Sequence, residues 1–327
     1  MRSYRSRLAA CAAVSALALA ACTGPAAQEG PAAGQSGIPE DTGPLRIAVI
    51  SHGTAGDAFW NVVKNGAEDA GRDLGIEVEY NADGDPGNQA RLIDNAVAQR
   101  AGGLVVSMAN PEALKPSIEN AVRAGIPVIT INSGEENSAA FGAITHVGQN
   151  EGIAGENAGR RFKESGKTKL LCVIHEAGNV GQNQRCEGAK RGFGQTQNLQ
   201  VDISNPTDVQ ARIRGAVQTD PSIDAVLTLN SQVAANAVGA IEQAGSTAQV
   251  ATFDLNTDVV NAIKAGDVLF AVDQQQYEQG YLPVLFLKLY RDNANVVGGG
   301  RPVLTGPDFV DKSTVDKIGQ YVERGTR

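Results

Sequence analysis

Segments with strand-like and helix-like patterns alternate along most of the chain, and this alternation runs twice. The first series starts at the apolar run 47–50 and ends near residue 131, and the second starts near residue 141 and ends near residue 272. Strands that alternate with helices predict parallel sheets with helices on both faces. One sheet holding both series would be unusually wide, and 327 residues can bury two cores of ordinary size. The sequence therefore predicts an α/β protein with two similar lobes.

The bounds of these elements follow from short apolar runs and from capping residues. The predicted strands lie at 47–50, 76–80, 103–107, 127–131, 141–147, 169–174, 201–203, 225–229, 250–253 and 268–272. Asp85 and Pro86 predict the N-cap and the first position of a helix that runs to residue 98. After the second series, an amphipathic helix is predicted over 274–290 and a last extended segment over 305–310.

The N-terminal residues have the pattern of an export signal. Three arginines precede the Ala- and Leu-rich stretch 8–20, and Leu19-Ala-Ala-Cys22 places small residues directly before a cysteine. This string resembles a bacterial lipobox, which implies removal of residues 1–21 and a lipid on Cys22. Residues 22–43 then form a polar, Gly- and Pro-rich tether. A cell-envelope lipoprotein is expected, on the outer face of the cytoplasmic membrane or in the periplasm; an ordinary secretory signal is the alternative.

Two cysteines remain once the signal is removed and Cys22 carries lipid. These are Cys172 and Cys186, and an even remainder in an exported protein indicates a disulfide. In the chain-entropy model, closing a loop of roughly 15 residues would contribute about 3 kcal/mol. Two reduced, buried cysteines are the alternative.

The overall charge excludes one class of partner. A formal net charge of -8 and a pI near 5 argue against a nucleic-acid surface, because such surfaces concentrate Lys and Arg. A small, neutral or weakly polar partner fits better.

The loop after the first strand predicts a ligand site. In open α/β sheets, ligands bind outside the carboxyl ends of the strands, and residues 51–60 occupy that place. His52 and Asp57 supply polar groups there, while Phe59 and Trp60 supply aromatic faces. Trp60 as a simple core residue is the alternative.

Polar side chains follow many of the other predicted strands. Neutral amides dominate, and this set suits a polyhydroxylated neutral ligand because each hydroxyl both donates and accepts hydrogen bonds. Asn and Asp are also common helix N-caps after strands, so each one alone has a structural alternative. Arg185 as a surface helix residue is likewise an alternative. The residues are Asn110, Asn132, Ser133, His175, Glu176, Arg185, Asn230, Ser231, Asp254, Asn256 and Gln274–Gln276.

Together these segments resemble the periplasmic ribose- and galactose-binding protein family, the type I solute-binding proteins of ABC sugar importers. The resemblance runs from about Leu45 nearly to the end and rests on an ordered set of strings. They are Ala48 to Trp60, Met108-Ala-Asn-Pro111, Gly125-Ile-Pro-Val-Ile-Thr-Ile-Asn132, Arg185-Cys-Glu-Gly188, Ala225-Val-Leu-Thr-Leu-Asn230, Thr252-Phe-Asp254 and Asp273-Gln-Gln-Gln-Tyr-Glu-Gln-Gly280.

The resemblance implies two Rossmann-like lobes joined by three crossovers, which lie near 146–149, 273–275 and 304–306. The N-terminal lobe would comprise 44–147 and 275–304, and the C-terminal lobe 148–274 and 305–327. A neutral monosaccharide or sugar alcohol would bind between them as they close, for delivery to an ABC permease. The implied ligand-binding residues are Asp57, Phe59, Trp60, Asn110, Asn132, Arg185, Asn230, Asp254 and Gln274.

Two positions depart from ribose-binding relatives. Those relatives have an Asp-Arg pair where this chain has Asn132-Ser133, and they have Asn where this chain has Asp57. The loss of a charge pair argues against ribose itself and favours another monosaccharide or a sugar alcohol.

Other functions are less compatible with the sequence. An enzyme is not expected, because no Gly-x-Gly-x-x-Gly follows the first strand and neither a Gly-x-Ser-x-Gly elbow nor a P-loop is found. No cofactor is expected, and His52, His146, His175 and Glu176 match no local metal-ligand spacing. A lac-repressor-type regulator would need a helix-turn-helix where the export signal lies. A binding module that serves a membrane sensor is the open alternative to transport. A monomer is expected.

Overall fold

The computed structural model describes residues 44–54 and 56–327. The predicted signal, the lipid site Cys22 and the tether lie outside these residues and stay predictions. Among the described helices, none combines the length and the apolar character needed to cross a membrane.

Twelve strands are described, and most coincide with the short apolar runs of the sequence. They are β1 (Arg46–Ser51), β2 (Glu77–Ala82), β3 (Gly103–Ser107), β4 (Val128–Ile131), β5 (Thr145–Gly148), β6 (Leu170–Ile174), β7 (Thr196–Gln200), β8 (Ala225–Thr228), β9 (Gln249–Phe253), β10 (Val268–Asp273), β11 (Val303–Leu304) and β12 (Asp308–Asp311).

Eleven α-helices are described, and a 3₁₀ turn covers Val297–Gly300. The helices are α1 (Ala58–Leu74), α2 (Pro86–Ala98), α3 (Pro111–Arg123), α4 (Glu135–Ser138), α5 (Glu151–Glu164), α6 (Val180–Phe193), α7 (Pro206–Thr219), α8 (Ser231–Ala244), α9 (Thr257–Ala265), α10 (Gln276–Asn293) and α11 (Val315–Glu323). As the sequence predicts, Asp85 caps α2, because its side chain accepts from Asn88 N, and Pro86 takes the first helical position.

The strands form two six-stranded sheets. The first has the order β11-β5-β4-β3-β1-β2 and is parallel throughout, and the second has the order β12-β10-β9-β8-β6-β7. In the second sheet only the edge strand β12 is antiparallel, to β10. Each sheet with its helices is a lobe, called here the first and the second lobe. The predicted fold class, two parallel-sheet α/β lobes, is confirmed; the residue bounds predicted for the lobes stay a prediction.

Both faces of each sheet are buried, and β1 illustrates how the sequence achieves this. Alternate side chains of a strand point to opposite faces. Ile47 and Val49 pack in one apolar cluster with α1 and α10, whereas Ala48 and Ile50 pack in a second cluster with α2 and α3. A strand that is covered on both sides reads as a continuous apolar run, which is the pattern found at 47–50.

Three predicted strands were misplaced. The segment 141–147 is a turn at its start, and the strand covers only Thr145–Gly148. The predicted strand 201–203 is wrong, because the strand is β7, Thr196–Gln200. This edge strand pairs only with β6 and is half exposed, so it lacks an apolar run, while Val201 just after it is buried. The strand predicted at 76–80 lies at Glu77–Ala82.

The chain passes between the two sheets after β5, after β10 and after β11. These passages are hydrogen-bonded to one another. Thr305 N donates to Gly148 O at 2.7 Å, Thr305 Oγ1 donates to Gln274 O at 2.7 Å, and Gln275 Nε2 donates to Thr305 O at 2.7 Å. The three connections therefore form one hydrogen-bonded unit at the hinge between the lobes.

Cys172 of β6 and Cys186 of α6 form a disulfide, with a Cα–Cα distance of 5.8 Å. Both residues are buried in the second lobe among Ile174, Ala189 and Leu227. The bond attaches α6 to the strand that precedes it, and the N-terminus of α6 faces the space between the lobes.

Candidate ligand-binding site between the two lobes

A small cavity lies between the lobes, outside the carboxyl ends of the strands. Its lining is His52, Asp57, Phe59, Trp60, Asn132 and Ser133 from the first lobe, His175, Glu176, Asn179, Gln182, Arg185, Leu229, Asn230 and Asp254 from the second lobe, and Gln274 from a crossover.

Eight of the nine residues predicted to bind ligand line this cavity, and the exception is Asn110. The side chain of Asn110 caps α3 by accepting from Ala113 N at 3.3 Å, and it lines a wider groove outside the cavity. Its structural alternative, a helix N-cap after a strand, therefore applies. Contact of the other eight with a ligand stays a prediction.

The first lobe contributes an aromatic wall. Asp57 caps α1 because Oδ1 accepts from Phe59 N at 2.9 Å, and this fixes the start of the helix that carries both rings. Trp60 contacts Phe59 edge to face at 5.0 Å between centroids and contacts His52 at 4.7 Å. Gly53 packs against the indole so closely that a Cβ there would lie 2.5 Å from Trp60 Cγ. The indole is therefore held in one orientation by its neighbours.

Asp57 also faces the second lobe, where the side chain of Asn230 acts to lower the pKa of the Asp57 carboxyl group. Burial raises the pKa of Asp57 from 3.8 to about 6, against hydrogen bonds that favour its charged form. A buried carboxylate without a cationic partner is well placed to accept hydrogen bonds from hydroxyl groups.

The guanidinium of Arg185 is largely engaged by the protein itself. Arg185 Nε donates to Glu151 Oε2 at 2.6 Å, and Nη2 donates to Glu151 Oε1 at 2.8 Å and to Gln274 Oε1 at 3.2 Å. Phe253 lies under the guanidinium at 4.6 Å. Glu151 was missed from the sequence because the chain crosses to the second lobe between the end of β5 and Glu151, the first residue of α5. Only Nη1, with a long contact of 3.4 Å to Leu229 O, is weakly engaged.

Gln274 connects the hinge to both walls of the cavity. Its Nε2 donates to Asp254 Oδ1 at 2.6 Å, and its Oε1 accepts from Asn132 Nδ2 at 3.3 Å. Asn132 and Asp254 have positive φ angles of 61° and 71°, a left-handed conformation that Asn and Asp tolerate better than most residues. The backbone thus turns sharply at both strand ends, where these side chains line the cavity.

Burial lowers the pKa of the two histidines of the cleft, so both are neutral near pH 7. Ser107 Oγ accepts from His52 N at 2.9 Å and lies 2.7 Å from His52 Nδ1. Gln182 Oε1 accepts from His175 N at 2.9 Å, so Gln182 Nε2 donates to His175 Nε2 at 3.0 Å. The Nδ1 proton of His175 has no protein partner. Burial lowers the pKa of His175 from 6.5 to about 4.

His52 and His175 meet at Glu176, with Nε2–O distances of 3.7 and 3.9 Å, whereas His146 hydrogen-bonds to Thr130 in the first lobe. No group of His, Cys, Asp and Glu able to hold a metal occurs in residues 44–54 and 56–327. Asn179 and Gln182 also line the cavity and were missed, because they lie in and before the first turn of α6 rather than at a strand end.

Comparison with known proteins gives a consistent match. The chain is 25% identical to a ribose import binding protein of Haemophilus influenzae over 265 residues, which covers 78% of this chain and 87% of that protein. It is 24% identical to a xylitol-binding protein of Mycolicibacterium smegmatis over 247 residues, 72% of this chain and 69% of that protein. These relatives are binding proteins, in agreement with the expectation that the chain is not an enzyme.

Solved structures agree with the fold. A carbohydrate transporter from Acidothermus cellulolyticus 11B, in complex with myo-inositol, is 40% identical with a TM-score of 0.85, covering 87% of this chain and 100% of that chain. A solute-binding protein from Actinobacillus succinogenes 130z with bound D-allose has 19% identity and a TM-score of 0.73 over 84% of this chain and 99% of that chain, which supports the fold alone. The model of the periplasmic binding protein domain matches residues 47–294. The chain therefore belongs to the periplasmic binding protein family.

Proposed function

We propose that this protein captures a neutral monosaccharide or cyclic polyol between its lobes and delivers it to an ABC permease from a lipid anchor on Cys22. The observation that carries this proposal is the convergence of amides, carboxylates and an aromatic pair from both lobes on one cavity. A ligand there contacts both lobes only when they are closed, so binding shifts the population toward the closed form.

The lining favours hydroxyl groups over charged groups. Asp57, Asp254 and Asn230 offer acceptors and a donor, which match hydroxyls that both donate and accept. The only arginine in the lining is already paired with Glu151, so an anionic sugar has no free cation to bind. The faces of Phe59 and Trp60 suit the C–H face of a ring.

myo-Inositol is the first ligand to test, because a structure 40% identical to this chain contains it. The absence of a charge pair at Asn132-Ser133 also argues against ribose as the ligand. Isothermal titration calorimetry on residues 44–327 with myo-inositol, scyllo-inositol, xylitol, allose and ribose tests the proposal. At a hundred times the dissociation constant, the ligand should also add about 2.7 kcal/mol to the free energy of unfolding. Failure of every member of the panel to bind would refute this ligand class.

Anchoring and delivery need their own measurements. Mass spectrometry of the full chain from membranes should find a diacylglycerol-modified Cys22 at the new N-terminus, and Cys22→Ser should release the protein from the membrane fraction. Uptake of labelled ligand should stop when the gene is removed. Normal uptake together with a lost transcriptional response would instead favour service to a membrane sensor.

A further inference from the structure

The start of α6 touches the opposite lobe directly. Val180 is the first residue of this second-lobe helix, and its N–H donates to Ala109 O in the first lobe at 3.0 Å. Next to it, Ser133 Oγ of the first lobe donates to Asn179 Oδ1 at 3.3 Å. The first N–H groups of a helix have no partner within the helix. Here one of them is satisfied across the cleft by a backbone carbonyl.

Gly181 allows this close approach. A Cβ at Gly181 would lie 2.7 Å from Ser133 Oγ, a distance that side-chain carbons essentially never show, so the opposite lobe occupies the space of a side chain. The φ angle of Gly181 is not positive, so its backbone conformation alone would accept alanine. The glycine therefore permits the close approach of the lobes, and a side chain there would require the Ser133 hydroxyl to move.

We propose that the contact of Val180 and Gly181 with Ala109 and Ser133, called here the lobe contact, sets the apparent affinity of the site by stabilising the closed form. This inference rests on the proposed function, since it assigns to these residues the control of closure at the same site. Val180 and Gly181 do this without touching the ligand, so they are positioning residues. When the lobes separate, the Val180 N–H and the Ala109 carbonyl return to water and the contact is lost. The apparent dissociation constant scales inversely with the population of the binding-competent form.

Val180→Pro isolates the hydrogen bond. Proline lacks the N–H and places its ring where Ala109 O lies, yet it is accepted at the first position of a helix, as Pro86, Pro111 and Pro206 already show in this chain. Asn179 has φ -71° and ψ 112°, an extended conformation that suits a residue before proline. Val180→Ala keeps the N–H and serves as the matched control.

Gly181→Ala tests the close approach of the lobes, because it should leave the stability of the second lobe unchanged or higher and should lower the ligand affinity. Alanine within a helix is more favourable than glycine, so the second lobe should be at least as stable as in the wild type. Closure, however, must displace Ser133, so affinity should fall. A merely structural role for Gly181 would lower stability and affinity together.

The experiment measures ligand affinity by calorimetry and the radius of gyration by small-angle X-ray scattering, with and without myo-inositol. We expect Val180→Pro and Gly181→Ala to weaken binding by about 3- to 10-fold and to enlarge the radius of gyration relative to Val180→Ala. Equal ligand affinity and equal radius of gyration in Val180→Pro and Val180→Ala would refute the proposed role of the lobe contact. If the wild type binds no polyol, the proposed function fails, and the radius without ligand still decides the inference: a larger value in Val180→Pro supports it and an equal value refutes it.

Discussion

Glu151 holds Arg185 in a two-pronged ion pair behind the cavity, with Nε–Oε2 at 2.6 Å and Nη2–Oε1 at 2.8 Å, and both side chains are almost fully buried. The pair joins the first turn of α5, next to a crossover, to a wall of the candidate site. It fixes the plane of the guanidinium and neutralises its charge where the ligand is proposed to bind.

Breaking this pair from one side should be costly. We expect Glu151→Ala to lower the free energy of unfolding by about 3–5 kcal/mol, because it leaves a buried cation without its counter-charge. Urea denaturation measures this loss. The double variant Glu151→Leu with Arg185→Met should recover most of the stability but bind ligand poorly, since Arg185 lines the cavity. A loss below about 1 kcal/mol in Glu151→Ala would mean that the pair behaves like an exposed one.

Asp254 should make stability fall with rising pH. Burial raises the pKa of Asp254 from 3.8 to about 7, although Arg185 acts to lower it. Between about pH 4 and pH 7 the folded state therefore binds more protons than the unfolded chain, and stability is lost as the pH rises. Asp254→Asn removes this linkage. The unfolding free energy of the wild type minus that of the variant should decrease across this window; a flat difference would contradict the burial of a protonatable carboxyl group.

His175 should make stability increase with rising pH, opposite to the effect of Asp254. Burial lowers the pKa of His175 from 6.5 to about 4, so between these values the folded state binds fewer protons and gains stability as the pH rises. The wild-type profile alone therefore mixes opposing slopes. For His175→Gln, the same difference in unfolding free energy should increase from about pH 4 to pH 6.5, and a decrease would show that the ring is charged in the folded state.

The disulfide between Cys172 and Cys186 should contribute measurable stability. It closes a loop with a sequence separation of 14, so replacing both cysteines with alanine should cost about 3 kcal/mol in the chain-entropy model. Denaturation of the wild type with and without reductant should give a similar difference. Titration of free thiols in the unfolded mature protein checks the oxidation state, and two free thiols without reductant would contradict the bond.

Variants of Trp60 and Asn110 should distinguish a ligand-binding side chain from a helix-capping side chain. Trp60→Leu removes an aromatic wall of the cavity and should weaken binding by about fivefold, because a ring face contributes on the order of 1 kcal/mol beyond its area. Asn110→Ala should cost about 1 kcal/mol of stability through the lost cap of α3 while affinity stays close to that of the wild type. Calorimetry measures the ligand affinity of both variants. A strong loss of affinity in Asn110→Ala would place the ligand in the wider groove outside the cavity.

Most of the fold could be predicted because its strands are buried on both faces. The run at 103–107 corresponds to β3, Gly103–Ser107, in which every residue is buried. The polar edge strand β7 escaped prediction, since a strand with one neighbour and a solvated face carries little apolar signal.

The candidate site also contains residues that could be predicted from the sequence and residues that could not. Side chains such as Asn132 and Asp254 could be predicted because parallel strands end at one edge of a sheet. Glu151 could not, because its place depends on how α5 packs against α6 and brings it to Arg185. Asn179 was missed because its position in the cavity depends on the approach of the two lobes.

Trp60 is the only tryptophan of the chain, and it lies in the wall of the cavity against His52. Its intrinsic emission therefore comes from the place where a ligand is proposed to bind. Without any attached dye, the ultraviolet fluorescence of the native protein is a specific optical reporter of events in the cleft.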